Sequence, residues 1–297
     1  MAKSSTNFAS GWDAIVRSRE PLAPHTWMGI GGPAQYFAEP RTRDELQAVV
    51  RRAAEEGLPI RVLGGGSNLL VRDEGVAGVI VRLAAPEFQK IQVERQTLTA
   101  GGGARLGHAI STAVRSGLAG LDALVGIPGT IGGALHGNAG SQGGDIGQWT
   151  FQAEVLTREG EIITRRREEL VFAYRESSLD ELVILEAQFQ LEGEDPQELT
   201  KRMQKQWIVK KANQPLAHQS AGCIFKNPRG ISAGMLIDKA GLKGTRVGGA
   251  EVSDRHANFI VVDRDASSHD VLQLIDLMRS HVAEQLGVEL ELEIEIW

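Results

Sequence analysis

The chain has one cysteine, Cys223, so no disulfide can form within it; such a sequence fits a reducing compartment. It has no basic surplus. Lys and Arg number 32 against 38 Asp and Glu, for a net charge of -6, and the electrostatic drive for general nucleic-acid or anionic-membrane binding is missing. No apolar run is long enough to span a bilayer. The opening residues, Met1-Ala2-Lys3-Ser4-Ser5-Thr6-Asn7, lack the apolar core of a signal peptide. These absences predict a cytoplasmic protein with no nucleic-acid partner and no membrane insertion. Common catalytic signatures are missing too. Without G-x-G-x-x-G the standard dinucleotide turn is unsupported, and without a Gly-Lys pair so is the P-loop. Without H-E-x-x-H or paired cysteines no metal site is expected. Without G-x-S-x-G an α/β-hydrolase is disfavoured.

Glycine, by contrast, is plentiful, with 35 residues. The densest run is Val125-Gly126-Ile127-Pro128-Gly129-Thr130-Ile131-Gly132-Gly133-Ala134-Leu135-His136-Gly137-Asn138-Ala139-Gly140. Smaller clusters are Gly64-Gly65-Gly66-Ser67-Asn68 and Gly29-Ile30-Gly31-Gly32-Pro33. Each glycine costs conformational entropy on folding. Runs this dense therefore suggest backbone wrapped against something flat or phosphorylated.

Helical and strand patterns alternate along the chain, so the class is α+β, mixed α/β. Residues 1–20 read as a weakly specified lead-in. A helix over 42–56 is predicted from a Thr42/Glu45 capping box, an apolar face of Leu46, Val49, Val50, Ala53 and Ala54, and a stop at Gly57. Strands follow at 60–63, 79–83 and 91–99. A helix is expected over 104–116, a hairpin over 153–164 and a strand over 182–187. Gly193-Glu194-Asp195-Pro196 reads as a linker. Helices over 197–211, 232–240 and 267–286 flank a strand at 257–262. In the closing strand, 289–296, Glu289, Glu291, Glu293 and Glu295 alternate with apolar residues, and period two puts the four carboxylates on one face.

Taken together these motifs resemble the UDP-N-acetylenolpyruvoylglucosamine reductases, in their shorter branch without a substrate-covering insertion. The matching residues are His25-Thr26 with Gly31-Gly32-Pro33-Ala34, Leu63 to Leu69, Gly126 to Ala134 with Asn138-Ala139-Gly140, and Tyr174-Arg175-Glu176-Ser177. Further on come Ala221-Gly222-Cys223-Ile224-Phe225-Lys226-Asn227-Pro228, Ala240-Gly241-Leu242-Lys243-Gly244, and Val252-Ser253 with His256-Ala257-Asn258-Phe259-Ile260-Val261. The match runs from about residue 20 to the C-terminus.

The resemblance implies a vanillyl-alcohol-oxidase-type fold. After a lead-in of 1–19, FAD-binding subdomains would span 20–85 and 86–195, and a substrate domain 196–297. It implies non-covalent FAD, NADPH as reductant, and a UDP-sugar substrate whose enolpyruvyl ether is reduced. The protein would be a monomer or weak oligomer. Cofactor contacts would come from Gly64, Gly65, Gly66, Ser67, Asn68 and Leu69, then Gly126, Ile127, Pro128, Gly129, Thr130, Gly132, Gly133, Ala134 and Asn138. Arg175 would offset charge on the substrate carboxylate. Cys223 stands where the family usually has serine and would donate a proton; a thiol of pKa about 8.5 is mostly protonated at neutral pH. Glu293 would be the assisting carboxylate. Tyr174, Gly222, Lys226, Asn227, Ser253, His256 and Asn258 would contact substrate.

Plainer readings stand beside these. Tyr174-Arg175 is also an ordinary surface pair, Cys223 a small buried hydrophobe, Asn68 a turn residue and His256 a structural histidine. At the level of function, a sugar or hydroxy-acid oxidase on the same fold, with flavin linked to His108 or His136, remains open. So does a non-catalytic flavin or nucleotide-binding module.

Overall fold

The structure is a computed structural model that describes residues 8–141 and 143–297; Met1 to Asn7, at the head of the expected lead-in, lie outside them. Packing divides the chain into two compact units. Among the described residues, the first holds 8–20, 34–65 and 77–207; the second holds 21–33, 66–76 and 208–297. This grouping cuts across linear sequence, because short early segments pack with the C-terminal third.

In the first unit, strands Val16–Pro21, Pro33–Ala38, Val76–Arg82 and Ile60–Leu63 form a sheet in that order, with Ile60–Leu63 parallel to Val76–Arg82. The residues before it are not weakly specified: Phe8, Ile15 and Val16 are buried and join a core with Val49, Val50 and Val79. That apolar anchor outweighs the polar lead-in around it. Helix Arg43–Glu55 buries Leu46, Val49, Val50 and Ala53 as expected, while Ala54 is exposed. Thr42 Oγ1 accepts from Glu45 N at 3.2 Å. The return bond of the expected capping box lands one residue earlier, Glu45 Oε2 accepting from Arg41 N at 2.6 Å.

A second, antiparallel sheet runs Ile162–Arg166, Thr150–Leu156, Val183–Gln190, Thr97–Gly101, Ile91–Glu94. The single strand expected at 91–99 is thus a hairpin, folded at Arg95, whose φ is +55°. Helix Leu106–Arg115 packs Leu106, Ala109, Ile110 and Val114 into the adjoining core. The expected linker is not one. Glu192–Gly193 pairs with Leu118–Ala119, Glu194 N donates to Gly117 O at 2.8 Å, and helix Pro196–Asn213 starts directly after. Its charge and proline suggested solvent, but its backbone is paired.

In the second unit, strands Arg246–Val247, Ala250–Val252 and Ile260–Val262 form an antiparallel sheet. Helices Ala233–Lys239 and Ser268–Leu286 bury Leu236, Ile237, Val271, Leu274 and Met278 in a core that also takes Met28, Ile30 and Leu70 from early sequence. The long helix starts with a reciprocal Ser267/Asp270 capping box and stops at Gly287, whose φ is +67°.

The closing segment departs from expectation. Regular strand is confined to Glu295–Ile296, parallel to Leu69–Leu70. Upstream, Ile224 O accepts from Glu293 N at 2.8 Å and more weakly from Ile294 N at 3.4 Å. Two donors on one carbonyl break the period-two register, as an irregularity in a strand does. The four carboxylates are therefore not equivalent: Glu289, Glu291 and Glu295 are exposed, and Glu293 is half-buried. No helix among the described residues is long and apolar enough to cross a membrane.

Candidate active site

Two glycine clusters meet backbone to backbone in the first unit. A Cβ on Gly65 would lie 2.7 Å from Gly129 Cα, and one on Gly64 would lie 2.8 Å from Thr130 Oγ1. Only glycine permits that approach. Gly126 and Gly129 hold φ of +77° and +113°. Thr130 Oγ1 accepts from Gly133 N at 3.3 Å and caps the short helix Ile131–His136. Gly132 N donates to Gly102 O at 2.8 Å and Ile131 N to Ala104 O at 2.9 Å, pinning the helix to the sheet. The densest glycine run is thus a turn feeding a capped helical turn, with Gly64 and Gly65 of one segment set against Gly129 and Thr130 of the other and Gly126, Ile127 and Pro128 leading into it. Such a surface suits a group with flat and phosphorylated parts, so these residues fit a flavin dinucleotide. Ala134 is buried behind them, while His108 and His136 are exposed.

Asn138 has other employment than the cofactor contact expected of it. It is buried, with φ of +40°. Its Nδ2 donates to Ala173 O at 2.7 Å, and its Oδ1 accepts from Gly147 N at 3.1 Å. Ala173 lies on a two-stranded hairpin, Phe172–Ala173 with Glu176–Ser177, and Tyr174-Arg175 is its turn. Arg175 adopts φ of +58°, a left-handed conformation that costs a non-glycine residue about 1–2 kcal/mol. Its guanidinium lies 5.2 Å from the Tyr174 ring centroid, and Nη1 donates to Gly140 O at 3.4 Å. Strain of this kind gathers at functional sites.

In the second unit, Cys223 is half-buried beside the open, positive-φ Gly222 and bridges Phe259 in antiparallel fashion. The next residues are fixed by Asn258. Ile224 N donates to Asn258 O at 2.9 Å, Phe225 N to Asn258 Oδ1 at 3.0 Å, and Asn258 Nδ2 to Phe225 O at 2.8 Å. Asn258 is 1% exposed, so its side chain serves backbone rather than the substrate contact expected of it. Ser253 is also buried, its Oγ accepting from Arg255 N at 3.2 Å. His256 Nδ1 accepts from Asn258 N at 3.3 Å, and the ring meets Phe259 edge-on. Burial, with a smaller contribution from Lys243, holds its pKa below the usual histidine value. His256 thus props the turn before Phe259 through its ring nitrogen and its ring contact.

Glu293 is brought to this strand through its N–H on Ile224 O, one residue after Cys223. Asn68 Nδ2 donates to Glu293 O at 3.0 Å, and Glu295 N donates to Asn68 O at 3.0 Å. Asn68 thus braces the glutamate's backbone in this unit, and the buried Leu69 pairs with Glu295. Gly66 and Ser67 join the same unit; Gly66 holds φ of +65° with His25 O packed against its Cα. Lys226 Nζ pairs with Glu291 Oε1 at 2.5 Å, and Lys226 N donates to Glu291 O at 2.8 Å. The lysine–glutamate pair was missed in sequence, although period two in the closing segment offered a signal for it. Asn227 Oδ1 accepts from Ala233 N at 2.9 Å, at the start of helix Ala233–Lys239. No cluster that could hold a metal ion occurs among the described residues.

Each unit thus presents its own chemistry: a glycine-rich cradle with a strained arginine hairpin in one, and a thiol, a carboxylate and a lysine on segments joined by backbone hydrogen bonds in the other. Comparison with known proteins also finds two parts, drawn along the sequence. Residues 34–165 match the FAD binding domain family, and residues 214–297 match the family described as UDP-N-acetylenolpyruvoylglucosamine reductase, C-terminal domain. The chain is 44% identical over 284 residues to UDP-N-acetylenolpyruvoylglucosamine reductase 2 of Symbiobacterium thermophilum, covering 95% of this chain and 92% of that relative. It is 40% identical over 299 residues to the corresponding reductase of Heliobacterium modesticaldum, covering 100% of this chain and 94% of that one. The crystal structure of UDP-N-acetylenolpyruvylglucosamine reductase from Thermus caldophilus superposes with a TM-score of 0.83 at 41% identity, over 95% of this chain and 99% of that chain. The chain therefore belongs to the UDP-N-acetylenolpyruvoylglucosamine reductase family.

Proposed function

We infer that this protein is an FAD-dependent oxidoreductase that uses NADPH to reduce the enolpyruvyl ether of UDP-N-acetyl-3-O-(1-carboxyvinyl)glucosamine, giving UDP-N-acetylmuramate for peptidoglycan synthesis. The chemistry that a bound FAD supplies is hydride transfer, from NADPH to the vinyl carbon distal to the ether oxygen. Gly64, Gly65, Gly126, Ile127, Pro128, Gly129, Thr130, Gly132 and Gly133 are the residues that hold it.

The chain's own side chains divide the remaining work. Negative charge builds on the substrate carboxylate as the vinyl group is reduced. Arg175 offsets it with a fixed cation, and preorganised electrostatics of this kind are worth several kcal/mol in the transition state. Cys223 Sγ gives its proton to the carbon beside the ether oxygen. Glu293 assists from the closing segment, and Lys226 offers charge to the anionic substrate. The observation that supports this assignment is the bond from Glu293 N to Ile224 O, which ties the backbone of Glu293 to the residue after Cys223. We propose the cytoplasm as its location and a monomer or weak oligomer as its form, supported by the lone cysteine and the acidic charge balance. The three-part division at 20–85, 86–195 and 196–297 is likewise proposed.

Stopped-flow absorbance at the flavin band tests the reading, with NADPH mixed first and the UDP-sugar second. Cys223→Ala is expected to bleach normally with NADPH but to recover its colour with the sugar about 10²–10⁴-fold more slowly, the range of a lost general acid. Unchanged recovery would remove Cys223 from the mechanism.

A further inference from the structure

The geometry assigns Asn138 a positioning role: it fixes Arg175 against the glycine-rich segment by holding the carbonyl two residues before it. This rests on the reading of Arg175 as the substrate-carboxylate cation. Three observations converge. Asn138 is 3% exposed and each end of its amide is engaged, Nδ2 on Ala173 O and Oδ1 on Gly147 N. Its backbone is left-handed at φ +40°, a conformation asparagine tolerates better than other side-chain-bearing residues. The hairpin it grips has only two residues per strand, its turn is strained at Arg175, and Val171, Ala173, Tyr174 and Glu176 are exposed. So short a hairpin is not stable alone, and its tie to the fold sets where the guanidinium points. The second tie is Arg175 Nη1 on Gly140 O, again in the glycine segment and two residues from Asn138. The segment that cradles the cofactor therefore also aims the arginine, and Asn138 transmits the alignment.

The test is a double-mutant cycle on the FAD-loaded enzyme. Asn138→Gly keeps the positive φ and removes the amide. It is expected to retain bound flavin and to slow recovery of the flavin by the UDP-sugar about 10- to 30-fold, mostly in the limiting rate rather than in KM. In an Arg175→Ala background the same change is expected to alter that rate by less than about twofold, because the side chain it positions is gone. An equal penalty in both backgrounds, or loss of flavin in step with the rate, would overturn the inference. If Arg175→Ala alone left recovery unchanged, the reading of Arg175 would fail instead, and the two failures are distinct. Should Asn138→Gly fold poorly, Asn138→Asp keeps the acceptor for Gly147 N and loses the donor to Ala173 O. Amide exchange over 172–177 is then expected to rise while that over 126–134 stays level. Unchanged protection in 172–177 would refute the role.

Discussion

Arg175 sits on a hairpin whose Ala173, Tyr174 and Glu176 are exposed, and Asn138 holds that hairpin at one carbonyl. Cys223 sits beside Ile224 and Phe225, each 0% exposed, and Asn258 holds that strand through both the N–H and the C=O of Phe225. Each segment depends on a buried asparagine, but they are built to different tolerances. The arginine rides on a light bracket with a strained turn. The half-buried thiol sits on a segment whose next two residues are anchored in a core. The difference suits the two tasks proposed for them. A cation acts through space and tolerates small displacements, whereas proton transfer needs heavy-atom approach within hydrogen-bond reach. If this is right, changes at the hairpin should cost activity with little stability, and changes around the cysteine strand should cost stability first.

The largest expected effect tests the hairpin half. Arg175→Ala should slow flavin recovery by the UDP-sugar about 10²–10³-fold, while its melting temperature stays within a few degrees of the parent. A large drop in stability would break the contrast. Next comes Asn258→Ala. It strands the N–H and C=O of Phe225, and each unsatisfied buried group costs about 1–3 kcal/mol. Chemical unfolding should therefore show a loss of about 2–6 kcal/mol. A milder loss would mean that the cysteine strand is held no more firmly than the arginine.

Cys223→Ser sharpens the comparison further. If the strand fixes the position of the donor, a hydroxyl delivered there should keep the reaction within about tenfold of the parent, measured as the rate of flavin recovery. Collapse of activity with intact folding would show that thiol chemistry outweighs position. The smallest effect concerns pH. Burial lowers the His256 pKa in the fold, so the unfolded chain takes up this proton first, near pH 6.5. As pH falls through that value the unfolded state gains protons the fold does not, and stability is lost. His256→Asn keeps an acceptor for Asn258 N and removes the titration. The difference between its melting temperatures at pH 7 and pH 5 should be smaller than the parent's.

What the sequence foretold and what it hid divide along physical lines. Local signals held where local forces decide. Thr42, Thr130, Ser232 and Ser267 cap helices, although only some were expected to, and Gly57, Gly117 and Gly287 stop them with positive φ. The close approach of Gly65 to Gly129 agrees with the cost that glycine density implied. Non-local pairing was invisible. Nothing in Gly193-Glu194-Asp195-Pro196 announces a partner at Leu118–Ala119, and nothing in the even alternation of the closing segment announces a double acceptor at Ile224 that sets Glu293 apart. Asn138, Asn258 and Asn68 matched family positions but gave no hint that their amides face backbone. An amide reads the same in a sequence whether it meets a ligand or a carbonyl.

The tie between Asn68 and Glu293 spans 225 residues, and that separation bears on how the chain is made. At about 5–20 residues per second, the partner of Leu69–Leu70 leaves the ribosome roughly 10–45 s after that strand does. Through that interval the early strand has an unpaired edge, and Met28, Ile30 and Leu70 lack the core they will join. Segments 34–65 and 77–207 need not wait, since their cores close among themselves. Synthesis therefore delivers the glycine-rich backbone of the first unit first and the cysteine and closing segments last, and the nascent chain passes through a stage in which one set of cores can close while the other is still short of its partners.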